Sequence, residues 1–424
     1  MQDLADRDYF TDHSILLDPY AYFEALREKG PVYRLPGRDI FVVTGFAEAL
    51  EVLNNTVDFS SAVSTGGAAM PLPFTPEGDD LTGQIEAHRA QFLGGDLLVA
   101  RDDKPHTNSR ALLSRLFTPS RLKANEEYMT GLAGKLAADA VANGGCDLIK
   151  DINVPFATLV VADLLGVPPD DRDHFMKVIA EGVPPGSLDE QERTGQNQPL
   201  VVMAGFFVNY LMERMQAPRG DVLSELAAAS YPDGTKPDIA ELVRLSTFLF
   251  GAGQDTTAKL LGNAMRFIVE QPGLQDRLRA DSSLLPDFIE EVLRLEGSTK
   301  MTSRLARKTT KVGGVEIPIG TKVMISFAAA NRDPRRFENP QEFIIGRPKI
   351  KEHVAFGRGA HVCIGAPLAR VETRIVLEKF LQKTSYIDLD ETVHGPRGAR
   401  RLAYEPSFII RGLEELRLKL TPRH

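Results

Sequence analysis

The 424-residue chain is 43% hydrophobic and 25% charged, enough to build a large buried core, and no linker, repeat or low-complexity tract divides it. Its net charge of −8, with no basic run at either end, argues against nucleic acid, whose phosphates demand Lys/Arg patches. Only two cysteines, Cys146 and Cys363, exclude a disulfide framework or a sulfur-rich structural zinc site, so any cysteine chemistry rests on one sulfur.

In chain order, the acidic, polar start from Met1 to Asp8 lacks the basic and apolar regions of a signal peptide. No stretch approaches the ~20 apolar residues of a membrane span, so the expectation is a soluble cytoplasmic protein without a membrane partner. Pro31 to Leu35 and Ile40 to Thr44 flank Pro36-Gly37-Arg38-Asp39 and read as a β-hairpin. Ser60 to Asp103 is rich in Gly, Pro and small residues, and Glu181 to Pro199 is polar with a double proline. Both are expected to be long irregular loops, a form that often marks lids.

The segment Glu241 to Glu270 is apolar on all sides, the pattern of a buried helix, and would run roughly 45 Å at 1.5 Å per residue. In its middle Gly251-Ala252-Gly253-Gln254-Asp255-Thr256-Thr257 gathers poor helix formers and a carboxylate. Such a broken local rule inside a good element often marks function. Thr256 is expected to bond back to the Ala252 carbonyl, bending the helix and opening a groove. Farther on, Glu291 and Arg294 share a helical face, with Glu290 to Arg294 an equally open pairing. Val315-Glu316-Ile317, the turn Pro318-Ile319-Gly320 and Thr321 to Ser326 suggest a second hairpin. The expected fold is mainly α with small antiparallel β-sheets.

The densest signal is Phe356-Gly357-Arg358-Gly359-Ala360-His361-Val362-Cys363-Ile364-Gly365. Its glycines permit a tight turn and a close backbone approach to a flat ligand. A helix-like run from Leu368 to Leu377 follows. Cys363 therefore stands at or just before a helix N-terminus, where the dipole and free N–H groups favour a thiolate and lower its pKa. A Cys–His hydrolase is the other use of such a pair, but no Asn or Asp partner is evident and His361 is only two residues away.

This decapeptide resembles the haem-binding signature of the cytochrome P450 family, and the likeness extends over most of the chain. The resemblance implies a single large domain over 1–424 enclosing heme b, with Cys363 as thiolate ligand to the iron. It implies that Asp255 and Thr256 are the acid–alcohol pair: Thr256 hydrogen-bonds dioxygen and Asp255 helps deliver protons. It makes Glu291 and Arg294 a buried structural pair completed by Arg347, at the end of Phe337-Glu338-Asn339-Pro340-Gln341-Glu342-Phe343-Ile344-Ile345-Gly346-Arg347. His106, Arg110, Arg304 and His361 fall where the family holds the haem propionates, and Ala252 where the oxygen-binding helix meets the haem. The stretch Gly297 to Ser303 departs from the family in lacking a proline, and it sets Lys300 near a strand that commonly lines the substrate pocket.

By the same resemblance the chain is a monomeric oxygen-activating monooxygenase of soluble bacterial type. It carries no dinucleotide-binding fingerprint and no iron–sulfur cysteine cluster, so electrons must come from other proteins. The resemblance names these as a [2Fe–2S] ferredoxin and an NAD(P)H-dependent reductase, with Arg115, Arg358, Arg370 and Arg374 as candidate docking contacts. A peroxide-driven peroxygenase and a non-catalytic haem-binding protein are the alternatives, and retention of Asp255 and Thr256 argues against both. The expected guest is a hydrophobic small molecule such as a terpenoid, steroid or fatty acid. Its contacts are expected from Ser60–Asp103, Glu181–Pro199, Phe248–Ala252, Thr299–Met301 and Ser407–Ile409.

Overall fold

The computed structural model describes residues 3–114, 116–180 and 199–423. Helices dominate, and three small sheets sit at their margin. The first predicted hairpin is present: β1 (Val32–Arg34) and β2 (Ile40–Val43) pair antiparallel with Val32 opposite Val43, and Gly37 takes the positive φ its turn requires. With β3 (Phe59–Ser60), β4 (Met301–Ala306) and β5 (Lys322–Ser326) they form a five-stranded sheet of order β1-β2-β5-β4-β3.

The second predicted hairpin is corrected. Val315–Ile317 pairs with Thr310–Val312 around Gly313-Gly314, whereas β5 pairs parallel with β2 and antiparallel with β4. The Pro318–Gly320 turn therefore carries the chain from one sheet to another. Period-2 patterning identifies strands but not their partners, which are chosen by packing across long sequence separations. The Ser60–Asp103 segment is likewise less irregular than expected. It contains the helix Thr82–Ala87 and buries Ala62, Val63, Leu81, Ile85 and Phe92 in a small core of their own. The Glu181–Pro199 expectation lies outside the described residues except at Pro199, which opens the helix Pro199–Gln216.

The central element is α1 (Ile239–Glu270), thirty-two residues capped by the Asp238 carboxylate, which accepts from the Glu241 N–H at 2.6 Å. It packs against α2 (Val154–Leu165), the helix Pro199–Gln216, α3 (Leu285–Glu296) and α4 (Ala366–Lys383). Glycine lets α1 approach its neighbours closely: a Cβ at Gly262 would stand 2.7 Å from Ile149, in the short helical turn Leu148–Asn153 before α2, and one at Gly253 would stand 3.0 Å from Val161 of α2.

A buried ionic node ties α3 to the chain ahead of the cysteine loop. Arg294 grips both Glu291 oxygens at 2.7 and 2.8 Å, and Arg347 Nε reaches the same carboxylate at 3.1 Å. The two guanidinium groups then donate to the carbonyls of Asn331, Glu338, Asn339, Pro340 and Glu342, satisfying a stretch with little regular structure of its own. Glu290 does not take Arg294; it receives His353 and Arg370, each with a contact at 3.0 Å.

Candidate active site

The cysteine loop is shaped by two positive-φ glycines. At Gly359, φ is +71° and an added Cβ would meet the Leu53 carbonyl at 2.5 Å, so no side chain fits. The Cys363 N–H closes the loop on the Phe356 carbonyl at 2.9 Å, and α4 starts three residues later. The N–H groups of Gly365 and Ala366 point at the sulfur, the helix-terminus arrangement expected of this sequence. The direction of the thiol pKa is nevertheless corrected. Burial pushes it up, and these two donors with the Arg110 and Arg370 charges only temper the rise. Cys363 lies deep in the fold, yet its surface is open because it faces an internal cavity.

That cavity, about 330 Å³, separates the cysteine loop from the middle of α1. Its walls are mostly apolar, among them Leu98, Val161, Leu164, Phe248 and Leu249. From α1 it receives Ala252, Gly253, Thr256 and Thr257. The predicted back-bond is present, since the Thr256 hydroxyl donates to the Ala252 carbonyl at 2.8 Å. The helix runs unbroken through this segment.

At one end the cavity is lined by two arginines and two histidines and, among the described residues, by no carboxylate. His106, Arg110, Arg304 and His361 all line it. Arg110 donates to the Val362 carbonyl at 2.7 Å, bracing the cysteine loop. Arg304 is buried, and its bonds go to the Ser64 and Thr302 hydroxyls and the Ser303 carbonyl, none of them charged. Burial lowers its pKa to about 10. The His106 and His361 rings lie 4.0 Å apart, and His106 Nε2 is buried without a hydrogen-bond partner among the described residues. Burial, helped by the neighbouring arginines, lowers His106 to about 4 and His361 to about 2. A buried guanidinium with only neutral hydrogen-bond partners, Arg304, beside the unpartnered His106 Nε2 is costly unless an anion completes the group. The residues therefore fit a flat apolar group that carries carboxylates at this end and meets a sulfur ligand on one face.

Other expectations fare unevenly. Asp255 does not reach the cavity wall; Lys259 Nζ holds its Oδ1, while Oδ2 is buried and unpartnered among the described residues. Lys259 is a residue the sequence reading missed, although its i,i+4 spacing from Asp255 is visible there. Lys300 is corrected as a pocket residue: it is 1% exposed and turned away, donating to the Leu16 and Ser407 carbonyls. The neighbouring Thr299 and Met301 do line the cavity, as do Ser64, Val99 and Ile409 from the other expected segments. The contribution of α2, through Val161, Leu164 and Leu165, had no local sequence signal. Of the candidate docking arginines, Arg370 and Arg374 are taken by Glu290 and by Glu126 with Glu378. Among the described residues Arg358 donates to the Lys351 carbonyl and to no carboxylate, and Arg115 lies outside the described residues.

Among known sequences, the family described as Cytochrome P450 matches residues 206–393. The Mycobacterium tuberculosis protein named Cytochrome P450 144 is 31% identical over 97% of this chain and 91% of its own length. Among solved structures, substrate-free cytochrome P450 CYP150A6 of Mycobacterium marinum superposes with a TM-score of 0.93 at 48% identity, covering 99% of this chain and 100% of that one. CYP109E1 of Bacillus megaterium in complex with corticosterone gives a TM-score of 0.81 at 26% identity, over 96% and 99% of the two chains. No helix among the described residues is long and apolar enough to cross a membrane.

Proposed function

The chain belongs to the cytochrome P450 family and is a haem-iron monooxygenase, and from that premise we propose that it inserts one oxygen atom of O2 into a small-to-medium hydrophobic guest, by hydroxylation or epoxidation. The observation that carries this reading is one cavity with Cys363 on the loop side, Ala252 and Thr256 on the helix side and His106, Arg110, Arg304 and His361 at its end.

In this reading Cys363 is the thiolate ligand to heme b, and His106, Arg110, Arg304 and His361 hold the two propionates. The bound haem supplies the iron that activates dioxygen, with the thiolate donating electron density that favours O–O cleavage. Thr256 keeps a hydroxyl at the cavity face, and Asp255 stands one residue away as the source of protons. The apolar walls exclude bulk water and bind the guest by burial of its hydrocarbon surface. A steroid, terpenoid or fatty acid suits such walls, and the CYP109E1 relative is recorded with a steroid.

Electrons arrive from a [2Fe–2S] ferredoxin and an NAD(P)H-dependent reductase, on the side of the cysteine loop. The enzyme acts as a monomer, a single haem domain over 1–424, in the cytoplasm where NAD(P)H is supplied. The test is to titrate the haem-loaded protein with hydrophobic compounds, follow the Soret spin-state shift, and assay those that bind with ferredoxin, reductase and NAD(P)H. Product formation coupled to NAD(P)H consumption is expected. Turnover with peroxide alone, or with neither, would overturn the reading.

A further inference from the structure

Asp255 is held in a three-membered cluster. Lys259, one turn along the same helix, makes a close ion pair to Asp255 Oδ1. The same ammonium has Glu405 Oε2 at 3.1 Å, close enough to pair but off the line of a hydrogen bond. All three side chains are largely buried, Lys259 most of all at 7% exposure. Glu405 comes from a C-terminal turn whose ends meet in a bridge between Tyr404 and Leu413, and whose Glu405 N–H bonds the Gly412 carbonyl at 3.0 Å. Gly412 is cut to fit, because a Cβ there would stand 2.4 Å from the Lys259 stem. The turn thus encloses the lysine, and its Ile409 reaches the cavity wall.

The chemistry asks Asp255 to move. Each turnover converts RH, O2, two electrons and two protons to ROH and water, and the protons must pass toward Thr256. An aspartate fastened to Lys259 cannot leave without stranding a buried ammonium, which is a large penalty. A second carboxylate already at 3.1 Å removes that penalty.

We propose that Lys259 and Glu405 are positioning residues for proton delivery: Lys259 parks Asp255 off the cavity, and Glu405 takes the ammonium when Asp255 turns toward Thr256. This rests on the relay role of Asp255 given above.

The test compares Glu405→Gln and Asp255→Asn in the haem-loaded enzyme, driven first by ferredoxin, reductase and NAD(P)H and then by iodosylbenzene. Iodosylbenzene delivers one oxygen atom (RH + PhIO gives ROH + PhI) and consumes no protons. In Glu405→Gln, NAD(P)H-driven kcat should fall several-fold and its solvent isotope effect should rise. Iodosylbenzene turnover and the guest Kd from the spin-state shift should stay unchanged. An equal loss under both oxidants, or no loss in either, would overturn the inference. If Asp255→Asn leaves the isotope effect unmoved, the relay itself is wrong. If Asp255→Asn changes it and Glu405→Gln does not, only the hand-over is wrong.

Discussion

Thr256 donates its one hydroxyl proton to the Ala252 carbonyl, so the function it presents to the cavity is the oxygen's lone pairs. It is thereby fixed in one rotamer as an acceptor for whatever donates from the cavity side. Replacing Thr256 with Ala should uncouple oxygen use, with peroxide appearing in place of hydroxylated product. The stoichiometry of NAD(P)H, peroxide and product measures this, and full coupling would remove Thr256 from the relay. A second residue-scale prediction concerns Glu372 on α4, a carboxyl 1% exposed with the Thr257 hydroxyl beside it. Burial raises its pKa from 4.5 to about 8, with the Thr257 hydroxyl only tempering the rise. A raised carboxyl pKa means that the folded state binds the proton that the unfolded chain has released. Its contribution to stability is therefore complete below about 4.5 and lost as pH rises through about 8. Melting temperature should decline across that window, and Glu372→Gln should flatten the decline; parallel profiles would refute it.

At the scale of elements, the Glu291–Arg294–Arg347 node fixes how α3 meets the irregular chain that leads to the cysteine loop. The Arg294 side chain is 0% exposed, that of Glu291 0% and that of Arg347 4%. Removing one member leaves a buried charge and several carbonyls without a donor. Arg347→Ala should cost about 3–5 kcal/mol of stability, read from urea unfolding, together with loss of haem during purification. A variant as stable as the parent would reduce the node to an ordinary ion pair. The motif behind this node was readable, because its residues keep fixed spacings and types. Which of Glu290 and Glu291 takes Arg294 was not readable, since i,i+3 and i,i+4 both lie on one helical face. The choice falls to Glu291 because Glu290 faces His353 and Arg370.

At the scale of the molecule, the proposed ferredoxin would dock on the cysteine side of the fold. Of the described arginines considered for docking, Arg358 alone lacks a carboxylate partner and stays available to an acidic ferredoxin. Arg358→Glu should raise the KM for ferredoxin, with little change in the guest-induced spin shift, and the defect should shrink as salt screens the interface. A ferredoxin KM unchanged at low salt would place the docking surface elsewhere. The sequence alone determined the helical class, the cysteine turn, the back-bonded threonine and the candidates His106, Arg110, Ala252, Thr256, Arg304, His361 and Cys363 that meet at one cavity, because each depends on local spacing, backbone freedom or a fixed motif. Only the tertiary structure decided that β5 leaves its neighbour for β2 and β4, and that Lys300 turns away from the pocket while Arg370 and Arg374 are already paired. It also decided that Asp255 is shared through Lys259 with Glu405. Apart from the one-turn step from Asp255 to Lys259, these join segments far apart in the chain, settled by packing and by which buried charges find partners as the core closes, and no local pattern encodes that choice.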